Sequence, residues 1–551
     1  MTQRRGSTAQ WRSRRLVLLH GGVIYAPAHP FSTAMLIDGG TIAWIGEDTA
    51  ADVHREAADD VIDLAGAFVA PGFVDAHVHA TSTGLAADGL DLTGAGSADA
   101  VLAAIRSFAR EHPDAIVLGH GWDETTWQDP HPPSRAHIDA AADGRAVYLS
   151  RIDVHSALVS SSIASACPGV DELPGWSPDG PISREAHHRV RDHALASVSP
   201  AQREGAHRAL RRLAAQHGIV AVHEMAGPSI SSVEDLDALL SLADAEPGPL
   251  VAGYWGQLAE RGGIDIAREL GAAGVAGDLF IDGAIGSRTA CLHEPYTDDP
   301  SSTGTCFVDV EQVFDHVVAA TEAGMQAGFH VIGDAACAIV TAGLRRAADH
   351  LGSAAIRAAG HRLEHAEMLS DDDISALVEY GVTASMQPMF DALWADPGGM
   401  YEQRLGRSRA DSMNRFADIV AAGGMLAFSS DAPVTEIGPW AAVRAAMHHS
   451  SPAQSISARA AFSAHTRGGW RAVGETGAGI LAPGAPAHLA VWRAQEFDVQ
   501  APDARVSGWS TDPRSGTPAL PVLSPEDALP ECLVTVVAGA VVHTTGECDW
   551  S

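Results

Sequence analysis

The sequence contains no lysine. All 36 of its basic residues are arginines, which excludes mechanisms that need a lysine amine: a Schiff base, a pyridoxal phosphate anchor and a carboxylated lysine that bridges two metal ions. Long apolar runs are absent as well, because no stretch reaches the ~18 apolar residues of a membrane-spanning helix. Positive charge is scarce, and the formal net charge of −33 opposes binding to nucleic acid or to anionic membranes. We therefore expect neither as a partner.

Cysteine is also rare, and the spacing of the cysteines does not suggest a dense disulfide framework. Six cysteines are scattered over 551 residues without a CxxC pair, which predicts free thiols in a protein of the reducing cytoplasm. The basic residues 1–15 precede a short apolar run that contains His20, Gly21 and Gly22. We therefore expect a disordered tail followed by a β-strand, and not a signal peptide.

Strand-like and helical runs divide the chain into regions. Strand-like runs occupy both ends, residues 16–70 and 475–551, and we expect these ends to pair into one small β-sandwich. Residues 71–474 alternate strand-like and helical runs, as parallel βα units do, with an insertion at about 84–216. Eight candidate strands remain: 67–79, 218–225, 250–255, 278–283, 328–334, 361–367, 381–388 and 425–433. The predicted fold is α/β, a TIM-like (β/α)8 barrel with a small β-sandwich.

Histidines and an aspartate recur where these apolar runs end. In a parallel barrel such positions are the carboxyl ends of the strands, where catalytic residues collect. His77 and His79 lie two residues apart on one strand, so both rings face the same side and reach one cation. His330, His365 and Asp431 end later strands. Taken singly, a histidine such as His330 or His365 is more often a hydrogen-bonded core residue than a ligand, and the pair His77 and His79 fits either explanation equally. Together the five residues predict a divalent metal site, with zinc as the expected ion.

The order of several motifs resembles a known family. PGFVDAHVH, FIDGAIGSRTA, HVIGDAA, HRLEHAE, ASMQP and SSDAPV follow one another as the landmarks of the amidohydrolase superfamily do, and the branch they resemble is that of the N-substituted formamide deformylase-like hydrolases. GWDETTW and GILAPGAPAHLAVW fit the same branch, so the resemblance runs from about residue 15 to 545. It implies a metal-dependent (β/α)8 barrel with a β-sandwich from both termini.

The resemblance also assigns roles. It makes His77 and His79 the first-strand ligands, His330 and His365 the histidines of strands five and six, and Asp431 the aspartate of strand eight, which also moves the proton.

One position departs from the family pattern. Members that bind two metals commonly carry a carboxylated lysine four residues before an Asp-Gly pair, and here Asp278 stands in its place. An aspartate is several ångströms shorter, with bonds of about 1.5 Å, so we expect one tightly held metal, with His365 contacting the water or the substrate. The expected ligands are His77, His79, His330 and Asp431. A binuclear site bridged by Asp278 or by solvent is the alternative.

Weaker patterns suggest a substrate pocket. Six residues are predicted to line it: Trp122, His155, His223, Asp282, Arg288 and Gln387. Arg288 fits either a substrate carboxylate or a structural salt bridge. The insertion is aromatic and mostly uncharged near its motifs, which favours a substrate with apolar groups.

These observations predict an enzyme. The expected reaction is hydrolysis of a carbon–nitrogen bond other than a peptide bond, in a small N-acyl or N-formyl amide, by a metal-activated water whose proton Asp431 accepts. Deamination of an amino-heterocycle needs the same ligands and is the alternative, whereas a non-catalytic scaffold barrel would have lost ligands that are all present. The expected partners are a small-molecule substrate and, where the chain assembles, a second copy of itself in a homodimer.

Overall fold

The structure is a computed structural model that describes residues 15–113, 115–151, 156–500, 509–510, 518–547 and 550. The predicted disordered tail lies outside these residues except for its last position. The chain divides into two units, one made of Met1–His79 and Arg211–Ser551 and the other of Ala80–Leu210. Within the described ranges, no helix has both the length and the apolar character needed to cross a bilayer.

Eight parallel strands form the central sheet of the first unit. In chain order they are β1 (Phe73–Val78), β2 (Ile219–Ala226), β3 (Leu250–Trp255), β4 (Gly274–Val275), β5 (Gln326–Val331), β6 (Arg362–His365), β7 (Thr383–Met386) and β8 (Met425–Phe428). Each strand pairs with the next, and the two outer strands meet where Val78 bridges to Ala432. The N–H of His79 donates to the carbonyl of Ala432 at 2.9 Å. The predicted TIM-like barrel is thereby confirmed.

Strand β1 shows how the sequence positions functional side chains. All six of its residues are buried, as expected for a parallel strand covered on both faces. Val74 packs in a cluster with Trp470, on the side of the helices. Asp75 and His77 alternate with the apolar residues and therefore face the barrel interior, where the Asp75 carboxylate accepts hydrogen bonds from the N–H and hydroxyl of Ser430 at 2.9 and 2.6 Å.

The fourth strand differs in position from the prediction. The expected strand at 278–283 is wrong: β4 comprises only Gly274–Val275, and beyond it Phe280 alone makes a bridge, to His330. Gly277 has a φ of +92°, a conformation that glycine adopts readily and that interrupts the strand. The chain turns there, and Asp278 therefore follows the strand instead of beginning it.

Helices follow most barrel strands. In chain order they are Val233–Ala245, Gly263–Leu270, Val310–Glu322, Asp334–Leu351, Ser353–Ala359, Asp371–Tyr380, Pro388–Trp394, Met400–Leu405, Arg407–Ala410, Phe416–Ala421, Pro439–Met447, Ala458–Ser463 and Gly469–Ala472, with a π-helical turn at Ala464–Gly468. Several begin with the capping groups that the sequence supplies. Asp309 and Ser370, for example, each close a reciprocal capping box, which satisfies two otherwise free N–H groups.

Both chain ends contribute to the terminal sheets, as predicted. One sheet has the order Thr41–Gly46, Ala34–Asp38, Leu16–His20 and Asp60–Asp63, and the other has the order Val23–Ile24, Phe68–Pro71, Leu489–Arg493, Glu531–Val537 and Ala540–Thr544. Val69, Val491 and Val534 lie in one buried cluster, so residues from the two ends share a core. The helix Asp48–Arg55 accompanies these strands, and Trp509–Ser510, Phe497–Gln500 and Leu520–Pro521 form a further small sheet.

The second unit has its own sheet and cores. Its five strands have the order Ile182–Ser183, Ser156–Val159, Val147–Arg151, Val117–Trp122 and Leu90–Asp91. Its helices are Ala80–Ala87, Ala98–Glu111, Arg135–Ala141, Ser161–Ser165 and Arg184–Ala196, and Pro200–Gln216 continues along the chain into the first unit. Two buried clusters, one around Trp122 and one around Tyr148, form its interior.

Candidate metal centre

Four histidines and two aspartates of the first unit come together at the carboxyl ends of the barrel strands. They are His77 in β1, His79 directly after it, Asp278 after β4, His330 in β5, His365 at the end of β6 and Asp431 after β8. All but His79 are at least nine-tenths buried, and the His79 side chain is 12% exposed. The structure therefore brings together every ligand that the sequence predicts.

Asp278 lies at the centre of this group. Its Oδ1 atom is 3.6 Å from Nε2 of His77, 3.4 Å from Nδ1 of His330 and 3.9 Å from Nε2 of His365. Its Oδ2 atom is 3.3 Å from Nε2 of His79. The turn at Gly277 thus places the short side chain of Asp278 among all four rings, and the expectation of one tightly held metal stays a prediction.

Asp431 lies beside the two first-strand histidines. Its Oδ1 atom is 3.4 Å from Nε2 of His77 and 3.2 Å from Nε2 of His79. Its backbone N–H donates to the carbonyl of His77 at 2.9 Å, and its φ is +56°. Asp75 holds the preceding residue, Ser430, so this left-handed turn is fixed from the barrel interior.

The polar atoms at the centre fit a divalent cation. Five of them are buried and have no hydrogen-bond partner: Nε2 of His77, Oδ1 of Asp278, Nδ1 of His330, Nε2 of His365 and Oδ1 of Asp431. Unpaired buried polar atoms are costly and rare. Among the described residues, two groups could each hold an ion, His77–Asp278–His365 and His77–His79–Asp431. Imidazole and carboxylate together suit ions such as zinc.

The charges in the site support the same interpretation. Burial alone would raise the pKa of Asp278, but the charge of His77 and the close approach of His330 and His365 hold it well below its usual value. Burial would lower the pKa of His365, but the nearby carboxylates of Asp278 and Asp431 raise it to about 10. The carboxylates of Asp278 and Asp431 thus favour positively charged groups in this buried site.

A buried ion pair supports His77 from behind. The Nδ1 atom of His77 donates to Oε2 of Glu364 at 3.0 Å, and Arg362 donates to both oxygens of the same carboxylate. Burial would raise the pKa of Glu364, but the charge of Arg362 and the hydrogen bond from His77 lower it to about 2. Sequence reasoning missed these two residues, although two charged residues on one buried strand signal a compensated pair.

The predicted pocket residues near the barrel have other contacts. Gln387 accepts a hydrogen bond from Nδ1 of His365 at 2.9 Å. His223 is buried, and its Nδ1 atom accepts from Arg362 at 3.2 Å. Burial and the charge of Arg362 hold the pKa of His223 well below its usual value. Both residues therefore contact groups that support the centre.

The loop after β4 holds two more predicted pocket residues. The buried carboxylate of Asp282 accepts from the N–H groups of Cys291 and Gly333, each at 2.8 Å, and of Ile332 at 3.0 Å. Arg288 forms a two-pronged salt bridge with Asp298 at 3.1 and 2.7 Å. The polar groups of Asp282 and Arg288 thus bind other groups of the protein in and around this loop.

The remaining two predicted pocket residues belong to the second unit or to undescribed sequence. Trp122 is fully buried in a core of the second unit, where its indole N–H donates to the carbonyl of Leu149 at 2.9 Å. His155 lies outside the described residues.

Two cysteines correct the prediction of free thiols. Cys291 and Cys306 form a disulfide, with their Cα atoms 5.3 Å apart. The intervening segment doubles back, because the N–H of Leu292 donates to the carbonyl of Thr303 at 2.9 Å. Sequence spacing could not show this return. The free cysteines among the described residues are Cys167, Cys337 and Cys532.

Comparison with known proteins agrees with this architecture. The chain is 27% identical over 535 residues to protein LONG AFTER FAR-RED 3 of Arabidopsis thaliana, with 90% of each chain covered. N-substituted formamide deformylase of Arthrobacter pascens is 30% identical over 155 residues, 27% of this chain and 28% of that protein. An uncharacterized metal-dependent hydrolase from Pyrococcus furiosus shares the fold, with a TM-score of 0.72 at 24% identity over 86% of this chain and 98% of that one.

The family assignment rests on most of the chain. Residues 60–543 match the amidohydrolase family, a span that includes all eight barrel strands and all six residues of the metal centre. The chain therefore belongs to the amidohydrolase family and is a hydrolase that uses a divalent metal ion, as the order of its sequence motifs predicts.

Proposed function

We propose that the protein hydrolyses the carbon–nitrogen bond of small N-acyl or N-formyl amides with apolar substituents, and that zinc is its ion. The observation that carries the proposal is the set of facing, unpartnered nitrogen and oxygen atoms around Asp278. Such a set serves hydrolysis because it combines cation ligands with a carboxylate that accepts a proton.

We propose two cation positions. His77, His79 and Asp431 would hold the first, and His330 and His365 the second, with Asp278 shared between them. The contacts of Asp278 with all four histidines support this arrangement, which is the alternative to the single position that the sequence alone favours.

The reaction uses the residues as follows. When bound at these residues, a divalent ion would supply Lewis acidity, which lowers the pKa of a water molecule toward neutral pH and polarises a substrate carbonyl. Asp431 accepts the proton of the attacking water and returns it to the departing nitrogen. Its pKa is held below the usual value despite burial, because His77 and His79 are close, so the carboxylate is ionised and ready to accept.

Aromatic side chains near the second position support an apolar substrate. The ring of Phe390 stacks nearly parallel on His365, with centroids 6.0 Å apart, and Trp394 packs on Phe390 at 4.6 Å. The half-buried ring of Phe280 lies 4.5 Å from that of His330. Such walls suit an alkyl or aryl group better than a charged one. The partial similarity to a formamide deformylase supports the amide class.

A substrate screen tests the proposal. Zinc-loaded protein is incubated with N-formyl and N-acyl amines, cyclic ureas, amino-heterocycles and phosphoesters, and amine, carboxylate and ammonia are each measured. We expect amine release from the amides and no phosphoester cleavage, with kcat about 10²-fold or more lower in Asp431→Asn at equal zinc content. Ammonia from amino-heterocycles with every amide intact would overturn the amidase proposal in favour of a deaminase.

A further inference from the structure

We propose that two buried hydrogen-bond partners make the cation positions unequal: Glu364, acting through His77, strengthens the first, and Gln387, acting through His365, leaves the second weaker. This inference rests on the two-position site of the proposed function. Glu364 and Gln387 are positioning residues, since each acts through a histidine.

The two contacts have matching geometry. Nδ1 of His77 donates to Oε2 of Glu364 at 3.0 Å, and Nδ1 of His365 donates to Oε1 of Gln387 at 2.9 Å. In both rings the partner occupies Nδ1, so Nε2 is the atom that faces Asp278, at 3.6 and 3.9 Å. Both partners thus fix ring orientation and tautomer in the same way.

The contacts differ in charge. Glu364 carries a negative charge, which the guanidinium of Arg362 stabilises within a fully buried ion pair. Gln387 is instead a neutral amide, and its nitrogen donates to the hydroxyl of Ser429 at 3.0 Å. A carboxylate behind an imidazole increases the electron density that the ring offers a cation. His77 is therefore the stronger ligand, although the two hydrogen bonds have nearly equal length.

The charge of Arg362 is fixed on several sides. Its Nη2 atom donates to the carbonyl of Ala76 at 2.7 Å, its Nη1 atom lies 3.2 Å from Nδ1 of His223, and its guanidinium carbon lies 4.7 Å from the ring centre of Tyr254. With these contacts in place, Glu364 cannot move away from His77 without leaving a buried cation unpaired, which is strongly unfavourable.

A reciprocal exchange of the two partners tests the inference. Glu364→Gln removes the charge behind His77, and Gln387→Glu adds one behind His365, while each keeps an acceptor in place. Both zinc dissociation constants are measured by competition with a chromogenic chelator, with zinc content from mass spectrometry. We expect two unequal constants in the unsubstituted protein, a ~10- to 100-fold weaker tight site in Glu364→Gln and a tighter second site in Gln387→Glu.

A matched control separates this effect from general loss of buried charge. Glu367 is also buried near the site, but its carboxylate accepts from the hydroxyl of Tyr401 at 2.6 Å, so Glu367→Gln should change the tight constant less than threefold. Thermal unfolding of the metal-free variants identifies any that do not fold. Because Gln387→Glu leaves the Arg362–Glu364 pair intact, it tests the inference even if Glu364→Gln does not fold.

The outcomes separate this inference from the function beneath it. Two equal constants would overturn the inequality, and unequal constants that neither exchange alters would overturn its assignment to Glu364 and Gln387. Both outcomes leave a two-position site. Binding of a single zinc ion would overturn both the inequality and the two-position arrangement. Loss of amide turnover in the substrate screen would leave the zinc constants valid, because they are measured without substrate.

Discussion

Oδ1 of Asp278 lies 3.4 Å from Nδ1 of His330, although the two residues are far apart along the chain. The contact joins the turn after β4 to strand β5 and ties the second group of histidines to the carboxylate that also faces the first. One negative charge therefore lies close to the histidines of both proposed cation positions.

Asp278→Asn should therefore weaken zinc binding at both proposed cation positions. The amide keeps the shape but not the charge, so we expect at least one equivalent of zinc to be lost per chain, because a ligand charge is removed from a buried site. Zinc content after dialysis is the measurement. The control is Asp265→Asn, which removes an 80% exposed carboxylate paired with Arg268. Unchanged zinc content in Asp278→Asn would contradict the central role of this residue.

Asp282 should matter for stability through the backbone groups it binds. Asp282→Ala leaves the N–H groups of Cys291, Ile332 and Gly333 without their acceptor, and each unsatisfied buried donor costs about 1–3 kcal/mol. We expect the free energy of unfolding in urea to fall by about 3 kcal/mol or more. Asp299→Ala is the comparison, since that carboxylate accepts only from nearby Ser301. A decrease below about 1 kcal/mol would show that the loop finds other acceptors.

Sequence alone predicts the parts of this protein that follow from periodicity. His77 lies in a buried strand and His79 directly after it, and both alternate with apolar residues, so their shared direction follows from the alternation itself. The depth of Asp278 does not, because it depends on the turn at Gly277 and not on side-chain length. The buried partner of His77, Glu364, was also missed, because a contact between β1 and β6 depends on the closed barrel.

In the loops, residue type predicted the contacts of a side chain less well than it did in the strands. Asp282 and Arg288 stand where a substrate group could bind, yet their polar atoms contact backbone N–H groups and Asp298. A loop must satisfy its own buried donors, and which side chain does so depends on a path that local sequence does not specify. The same reason applies to Cys291 and Cys306, which only the return of the loop brings together.

The disulfide yields a separate prediction. Its cysteines are 15 residues apart, and closing a loop of this length stabilises a protein by about 3 kcal/mol in the chain-entropy estimate. Cys306→Ser should lower the free energy of unfolding by that order. A reductant should destabilise the unsubstituted protein to a similar extent and leave Cys306→Ser unaffected. Recovery of both cysteines as free thiols by peptide mass spectrometry, without reduction, would contradict the bond.

Three buried histidines outside the metal centre should make the protein sensitive to acid. Burial lowers the pKa of His316, His361 and His465 to about 4 each, and the charge of His316 adds to the effect on His361. The unfolded chain has a histidine pKa of about 6.5 and so binds more protons than the folded chain between about pH 6.5 and 4. The contribution of these histidines to the free energy of unfolding is therefore fully present above about pH 6.5 and is lost as the pH falls through this window.

His361 offers the cleanest measurement of this effect. Its Nδ1 atom accepts from the N–H of Ala327 at 2.9 Å, and its Nε2 atom lies 3.1 Å from the hydroxyl of Thr321. Glutamine can replace these hydrogen bonds but does not titrate. The difference between a pKa of about 6.5 in the unfolded chain and about 4 in the folded protein corresponds to about 3 kcal/mol. Between about pH 7 and pH 4, His361→Gln should therefore lose about that much less stability in urea than the unsubstituted protein. His131→Gln, at an 85% exposed side chain, should follow the unsubstituted protein. Parallel pH profiles for all three proteins would mean that folding does not lower the pKa of His361.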